Sequence, residues 1–373
     1  MINFYDINFI IFAVYGLALI IQLIYIWGVF ARLAFYKPKV DKHVEKPVSV
    51  VITSRDDFYY LQKNLPVILT QDYPDYEVVV VNDHSDDETD DLLERLSEQY
   101  SHLKVVNMSF SVSFYPGKKF PLSIGIKSAK NEILLLTDAD CKVNSKNWIR
   151  NMQQGFDDQT QIILGYGPYK RQKGLLNTFI RYYSFFTALQ YLSFALIKMP
   201  YMGVGRNLAY RKSLFYQNKG FISHYQVPSG DDDLFVNETA NKYNVKICIN
   251  PDSFTYSSPK TTFGQWMGQK RRHLSTGKLY KAKHQFWLSL YPFSLMLFYG
   301  LFGWQMYTQY LLYYVWGIFA FRLLSFLIIQ KTSMNKLGEK KLFLTSPLLE
   351  LFIFLLNSIL VISNTIYKKN KWK

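Results

Sequence analysis

The hydrophobic and polar positions divide the chain into three zones. Residues 7–31 carry no charge over 25 positions, and a helix needs about 20 to cross a bilayer core. Asp6 precedes the stretch, and Arg32, Lys37, Lys39 and Lys42 follow it. A signal peptide would begin with positive charge and carry a shorter apolar core. The pattern predicts a retained anchor with its N-terminus outside and the chain from residue 32 onward in the cytoplasm. Residues 285–321 are again uncharged, for 37 positions. One helix of that length would be about 55 Å long against a core of about 30 Å, so two spans with a turn near 305–309 are expected. A third segment, 342–367, carries one charge, Glu350, and Pro347. The basic stretch 331–341 before it and the KKNKWK tail after it both favour the cytoplasm. A single full crossing cannot serve both. Either the tail is outside, or this segment is re-entrant or lies in the interface.

Between these zones the apolar runs are short and bounded by turn residues. VSVVITS at 48–54, EVVVVND at 77–83, LKVVNM at 103–108 and EILLLTDAD at 132–140 read as strands. Continuous Val/Ile/Leu runs of this kind suit parallel strands buried on both faces. Residues 58–69 and 89–99 read as helices, and the alternation is that of a doubly wound, Rossmann-like α/β domain. The expected organisation is an anchor at 1–43, a cytoplasmic α/β domain at 44–283, and a membrane or interfacial region at 284–373.

Composition narrows the classes. Half the residues (49%) are hydrophobic and 17% aromatic, which excludes a disordered chain. Lys and Arg number 43 against 28 Asp and Glu, a net charge of +15. The lysines flank the apolar segments, which points to membrane lipids as neighbours and not to nucleic acid. Two cysteines, Cys141 and Cys248, make neither a disulfide framework nor a four-ligand zinc site.

In doubly wound sheets ligands sit beyond the carboxyl ends of the strands, and here those ends are acidic. The first strand runs into Thr53, Ser54, Arg55, Asp56 and Asp57, the second into Asn82, Asp83, His84, Ser85 and Asp86, and the fourth into Asp138, Ala139 and Asp140. If that last strand continued, Asp138 and Asp140 would point to one side. Two such carboxylates suit Mg²⁺ or Mn²⁺, whose other ligands are waters and phosphate oxygens.

The stretches PVSVVITSRDD, LPVILTQDYPDYEVVVVNDHSDDET and GKKFPLSIGIKSAKNEILLLTDADC together resemble the family 2 glycosyltransferases. These form the membrane-associated class that includes cellulose and hyaluronan synthases. The resemblance covers about residues 46–280 and implies a GT-A fold, a nucleotide-diphosphate sugar donor and a divalent metal. It assigns Asp83 to the nucleotide base and ribose, although Asn82 and His84 stand where the family has Asp and Gly. Thr53, Arg55 and Asp57 are placed near the nucleotide. Lys118 matches the lysine facing the diphosphate, and Asp138 and Asp140 match the metal-binding DxD. GVGRNLAYRK at 203–212 matches the segment beside the acceptor, with Gly205 and Asn207 as acceptor residues and Arg206 as a further polar contact. In SGDDDLFV the catalytic base falls on Asp231, with Asp232 as its competitor, and Gly230 replaces the family's Glu. In QKRRH, Gln269 and Arg272 match the donor-binding motif. His273 replaces the Trp that packs on the acceptor, which points to transfer of one or a few sugars.

Residues 175–199 hold 16 uncharged positions between Arg181 and Lys198, short of a span. Lying between two motifs of one domain, the segment is expected as a helix in the cytoplasmic interface, with a buried domain helix as the other reading. The resemblance implies an inverting transfer to a lipid-linked or glycan acceptor at the cell membrane, for cell-envelope glycan synthesis. The competing class is a membrane-tethered protein that binds nucleotide sugar without turnover.

Overall fold

The computed structural model describes residues 7–38, 44–108 and 117–366. Asp6, Lys39, Lys42 and the tail from Tyr367 lie outside the described residues. The chain forms two compact units: residues up to 36 with 281–359, and residues 37–280 with the segment from 360.

The first unit is helical. Helix α1 (Ile7–Ala34) contains a π-helical stretch at Ile24–Phe30. The second unit opens with β1 (Val48–Ser54), α2 (Phe58–Leu69), β2 (Tyr76–Asp83), α3 (Thr89–Gln99), β3 (Leu103–Met108), α4 (Lys119–Ser128) and β4 (Ile133–Leu136). It continues through β5 (Lys142–Val143), α5 (Trp148–Gln153), β6 (Ile162–Leu164), α6 (Leu175–Leu196), β7 (Leu208–Arg211) and α7 (Lys212–Gln217). It closes with α8 (Asp233–Thr239), β8 (Val245–Ile247), β9 (Thr255–Tyr256) and α9 (Phe263–Leu274). The chain then returns to the first unit through α10 (Ala282–Thr308), α11 (Leu312–Lys336) and α12 (Ser346–Ile366).

The main sheet has the order β3-β2-β1-β4-β7-β6-β8. Strands β1 to β4 are mutually parallel, as their unbroken apolar runs predict. Strand β7 runs antiparallel to both β4 and β6, so the sheet is mixed. Val48, Val50 and Ile52 of β1 and Val78 and Val80 of β2 share one core with Leu61, Leu65, Ile68 and Leu69 of α2. That helical spacing of i, i+4, i+7 and i+8 gives α2 one apolar face. On the opposite face α4 lies so close that a Cβ at Gly125 would meet Val51 Cγ1 at 2.7 Å. Most of α6 is buried; Tyr191 OH donates to Gly165 O at 2.6 Å, and Tyr183 packs on Trp266.

The β4 strand stops at Leu136, short of the acidic pair. Its partner β7 begins at Leu208, preceded by a 3₁₀ turn at Gly205–Asn207. On the β7 side no strand is left for Thr137 to pair with, and its hydroxyl donates to Arg206 O at 3.0 Å.

Among the described residues, four helices are long and apolar enough to cross a membrane: Ile7–Ala34, Ala282–Thr308, Leu312–Lys336 and Ser346–Ser363. The turn between α10 and α11 carries left-handed residues at Gln309 and Leu311, so the long uncharged stretch divides where its length required. Inside this unit Glu350 accepts twice from Arg322, at 2.7 and 2.8 Å, and also from Tyr291 OH. Arg322 donates further to Gln22 Oε1 at 2.9 Å. The network satisfies the one acid of α12 with groups from α1, α10 and α11.

Candidate active site

The ends of β1 and β2 are stitched together. Asp56 accepts from Asp86 N–H at 2.8 Å and gives its own N–H to Ser85 Oγ at 3.0 Å, while Asp87 accepts from Phe58 N–H at 3.0 Å. Asp83 is half-buried and paired with His84 Nδ1 at 2.9 Å. His84 has φ 53°, the left-handed region that a glycine enters freely. Thr53 is half-buried and Arg55 is exposed. Asp57 is drawn into the acidic neighbourhood: burial, Asp140 and Asp138 push it up to about 6, against the Arg55 N–H that it accepts.

Beyond β4 the chain turns, with Cys141 N–H donating to Asp138 O at 3.0 Å. Alternation along a strand therefore does not apply to Asp138 and Asp140, yet the turn still gathers them. Their oxygens and Cys141 Sγ lie within 4.8 Å of one another. Burial and Asp138 hold Asp140 above the usual carboxylate range. Burial would raise Asp138 too, but Lys118, Arg206 and Arg272 together hold it low. The Cys141 thiol is pushed well up by burial and both aspartates, and it bonds to Ser257 Oγ at 3.0 Å. It stays protonated, which leaves two carboxylates as an oxygen donor set for a hard cation.

Lys118 occupies the centre. Its ammonium lies 2.7 Å from Asp138 Oδ1 and 3.0 Å from Asp231 Oδ2. Burial would lower its pKa, but Asp138, Asp231 and Asp232 raise it well above the usual lysine value. The next residue, Lys119, is turned the other way and donates to His224 O at 2.6 Å and Val227 O at 2.8 Å. It thereby ties the start of α4 to the loop that carries the acidic triplet.

The three aspartates of that triplet do three different things, because the helix begins within it. Asp231 is buried and faces Lys118. Asp232 is the N-cap of α8: Oδ1 accepts from Asp233 N–H and Oδ2 from Gly205 N–H, each at 2.7 Å. Burial, Asp231 and Asp233 push it up to about 7. Asp233 is buried and accepts from Thr276 Oγ1 and, at 2.7 Å, from Tyr280 OH. Gly230 has φ 103°, and a Cβ there would meet Leu234 Cδ1 at 2.5 Å; a glutamate cannot stand at this position. Gly205 lies against the whole group, since a Cβ on it would come within 3.3 Å of Lys118 Nζ, 3.4 Å of Asp232 Oδ2 and 3.5 Å of Asp231 Oδ2.

Asn207 is not presented to this cleft. Its amide donates to Tyr166 O and Ser253 O at 2.8 Å each, and its oxygen accepts from Trp148 Nε1 at 3.1 Å. Every group that an acceptor would need is used inside the fold. Gln269 is half-buried, with its Oε1 unpartnered among the described residues. His273 is exposed but crowded; desolvation, Lys270 and Arg272 hold it well below the usual histidine value, so it is neutral. Arg206, noted in the sequence only as a polar contact, lies 4.4 Å from the centre of the Tyr169 ring and bears on both Asp138 and Asp140.

The model of glycosyl transferase family 2 matches residues 49–217, and that of glycosyl transferase family group 2 matches residues 147–330. Over these residues the chain is similar to glycosyltransferase family 2. Similar proteins include a probable glycosyltransferase of Bacillus subtilis (YdaM), 23% identical over 237 residues, covering 60% of this chain and 54% of that protein. A beta-monoglucosyldiacylglycerol synthase of Nostoc is 27% identical over 132 residues, 35% of this chain and 28% of that protein. The chain thus spans about half, or less, of the length of these relatives. Among solved structures, a mannosyltransferase from Pyrobaculum calidifontis, in complex with GDP-Man and Mn²⁺, superposes with a TM-score of 0.61 at 17% identity. The match covers 97% of this chain and 99% of that one. The shared fold is the GT-A α/β fold with a mixed central sheet.

Proposed function

We propose that this chain moves a sugar from a nucleotide-diphosphate sugar to a hydroxyl of a membrane-associated acceptor, lipid-linked or glycan, with inversion at the sugar carbon. The observation that carries the reading is Lys118, whose ammonium bridges Asp138 after β4 and Asp231 before α8. One cation thus joins the metal-type carboxylate to the base-type carboxylate, and a sugar diphosphate entering between them finds both.

Asp231 takes the proton of the attacking hydroxyl at its carboxylate oxygen. Lys118 and Arg272 supply fixed positive charge where the diphosphate departs. Attack from the Asp231 side, opposite the departing diphosphate, inverts the anomeric centre. Asp138 and Asp140 fit Mg²⁺ or Mn²⁺, which when bound would offset charge developing on the leaving group. Asp83 and Thr53 hold the nucleoside at the ends of β2 and β1, with Asp57 behind them. Gly205 keeps the floor of the cleft open for the acceptor.

The neighbour that binds GDP-Man and Mn²⁺ and the relative named for making a glucosyl diacylglycerol support a nucleotide-sugar donor and a lipid acceptor. A cytoplasmic catalytic domain is supported by Arg32 and Lys37 after the first apolar helix. One observation favours a second assignment within the same chemistry. Asp232, at about 7, has the affinity for a proton that suits a base, although both its oxygens already hold backbone N–H groups. The test of function is incubation of membranes carrying the protein with a panel of radiolabelled nucleotide sugars and Mn²⁺, followed by separation of lipid-soluble and polymeric products. Sugar transferred by the wild type but not by Asp231→Asn supports the reading. Nucleotide-sugar binding with no transfer to any acceptor would make the chain a binding protein.

A further inference from the structure

Two adjacent lysines at the start of α4 face different ways. Lys118 meets Asp138 and Asp231. Lys119 is 4% exposed and gives its ammonium to two backbone carbonyls, His224 O at 2.6 Å and Val227 O at 2.8 Å. Among the described residues these carbonyls are its hydrogen-bond partners. A buried ammonium is costly, and an apolar side chain would fill the same space without that cost. What the ammonium adds is three N–H groups on one atom, able to hold two carbonyls at once.

Both carbonyls belong to one turn. A 3₁₀ turn spans Ile222–His224, and Val227 N–H donates to His224 O at 3.1 Å. Gly117 comes so close to the end of this turn that a Cβ on it would meet Pro228 O at 2.7 Å. Glu238 of α8 holds the turn from its other end. Its Oε1 accepts from Ser223 Oγ at 2.6 Å and lies 3.1 Å from His224 Nδ1, and its Oε2 accepts from Asn218 Nδ2 at 3.1 Å. His224 is thus gripped at its carbonyl from α4 and at its ring from α8, and the chain runs on from it into Asp231.

The spacing at stake is that between Lys118 and Asp231. Asp232 and Asp233 are tied to Gly205, Thr276 and Tyr280, none of which lies on α4 or on the parallel strands. The Lys118–Asp231 pair cannot hold the spacing alone, because in the proposed reaction Lys118 turns its charge to the departing diphosphate. The bonds of Lys119 involve neither the donor nor the metal carboxylates, so they persist through the reaction.

We propose that Lys119 is a positioning residue: by clamping the turn at 222–227 to α4, it fixes the base, Asp231, at the distance from Lys118 that the transfer requires. This rests on the glycosyltransferase reading of the site. A displacement of about 1 Å between reacting groups costs about 10² in rate.

Membranes carrying the full chain are assayed for sugar transfer with the panel of radiolabelled nucleotide sugars and Mn²⁺, over a range of donor concentration and per amount of folded protein. Lys119→Met keeps the apolar stem and removes the N–H groups. Its kcat should fall by about 10²-fold with donor KM held within about twofold, because Lys118, Asp138 and Asp140 are untouched. Lys119→Arg, which restores N–H donors for the two carbonyls, should recover part of the rate. Glu238→Ala loosens the grip from α8 at a half-buried position and should lower kcat in the same way, which keeps the test decisive if Lys119→Met does not fold. A wild-type kcat in Lys119→Met, or in Glu238→Ala where Lys119→Met does not fold, would overturn the proposal and leave the clamp a matter of packing. A rise in donor KM that accounts for the whole loss would overturn it too, by moving Lys119 to the donor site. So would a Lys119→Arg no faster than Lys119→Met, since the N–H groups would then not matter. If the wild type transfers no sugar from any member of the panel, the glycosyltransferase reading fails, and this assignment with it.

Discussion

The assignment of the base to Asp231 can be separated from its rival because the two carboxylates are held by different kinds of group. Asp231 meets an ammonium at 3.0 Å. In Asp231→Asn the amide oxygen still accepts from Lys118, and Asp138 still balances that cation, so the fold and the donor site are retained. What is lost is the proton acceptor, worth roughly 10²–10⁴ in turnover, or about 3–5 kcal/mol of barrier. Asp232 instead accepts two backbone N–H groups, from Asp233 and Gly205, both at 2.7 Å. An asparagine there has one acceptor oxygen for two donors. One N–H is left facing an NH₂ group, at a cost of about 1–3 kcal/mol, partly offset by relief of repulsion within the triplet. Asp231→Asn should therefore lose rate at nearly constant melting temperature, and Asp232→Asn should lose stability with a smaller rate effect. The assay is nucleoside diphosphate release with acceptor present, alongside donor affinity by calorimetry and a melting curve for each variant. A dead Asp232→Asn with wild-type stability, beside an active Asp231→Asn, would refute the argument and move the base one residue along.

Three further outcomes are expected. Asp138→Asn or Asp140→Asn should raise the Mn²⁺ concentration needed for donor turnover severalfold or abolish it, and full wild-type activity in chelator would remove the metal role from this pair. Asp232, pushed up to about 7 from an ordinary value near 4, holds a proton in the fold that the unfolded chain releases. Metal-free stability should then fall as pH rises from about 4 to 7, with Asp232→Asn flattening the slope; a flat wild-type profile would count against the buried triplet. In the helical unit, Glu350→Leu should cost about 3–5 kcal/mol by stranding Arg322, while Arg322→Met with Glu350→Leu should recover most of it, read as thermal aggregation in detergent.

The parallel half of the sheet was legible because β1, β2 and β4 are apolar on both faces, and only a buried parallel strand needs that. The reversal of β7 was not, because LAYR reads the same in either direction. The DxD pair was found through an argument from alternation that the structure does not use: β4 ends at Leu136, and a turn brings the two carboxylates together. The departures from the family pattern become intelligible in backbone terms. His84 takes a left-handed conformation at a cost of about 1–2 kcal/mol, where glycine would take it freely, and Gly230 stands where a side chain would strike Leu234. The division of labour within Asp231, Asp232 and Asp233 was out of reach, since it depends on where the helix starts. Arg206 was read only as a polar contact, and its bearing on Asp138 and Asp140 was out of reach because it joins positions far apart in the chain. Asn207 shows the opposite error: a polar residue in a functional motif that is spent on Tyr166, Ser253 and Trp148.

Residues 346–363 are long and apolar enough to cross, yet the basic stretch before them and the lysines after them favour one side. The structure joins the far end of α12 to the catalytic unit: Arg271 Nη2 donates to Ser363 Oγ at 2.9 Å, and the chain from residue 360 is compact with that unit. A helix crossing fully away from the catalytic side would carry this end about 30 Å off, beyond any arginine. Ser363 of α12 therefore lies with the catalytic unit. The buried Arg322–Glu350 pair removes the remaining objection, because the acid near the start of α12 is neutralised inside the helical unit and needs no water. Lys373→Cys and Lys63→Cys, the latter on the exposed face of α2, should behave alike toward an impermeant maleimide, both protected in intact cells and both labelled after permeabilisation. Labelling of Lys373→Cys from outside, with Lys63→Cys protected, would show that α12 crosses and that its contact with Arg271 does not form in the membrane.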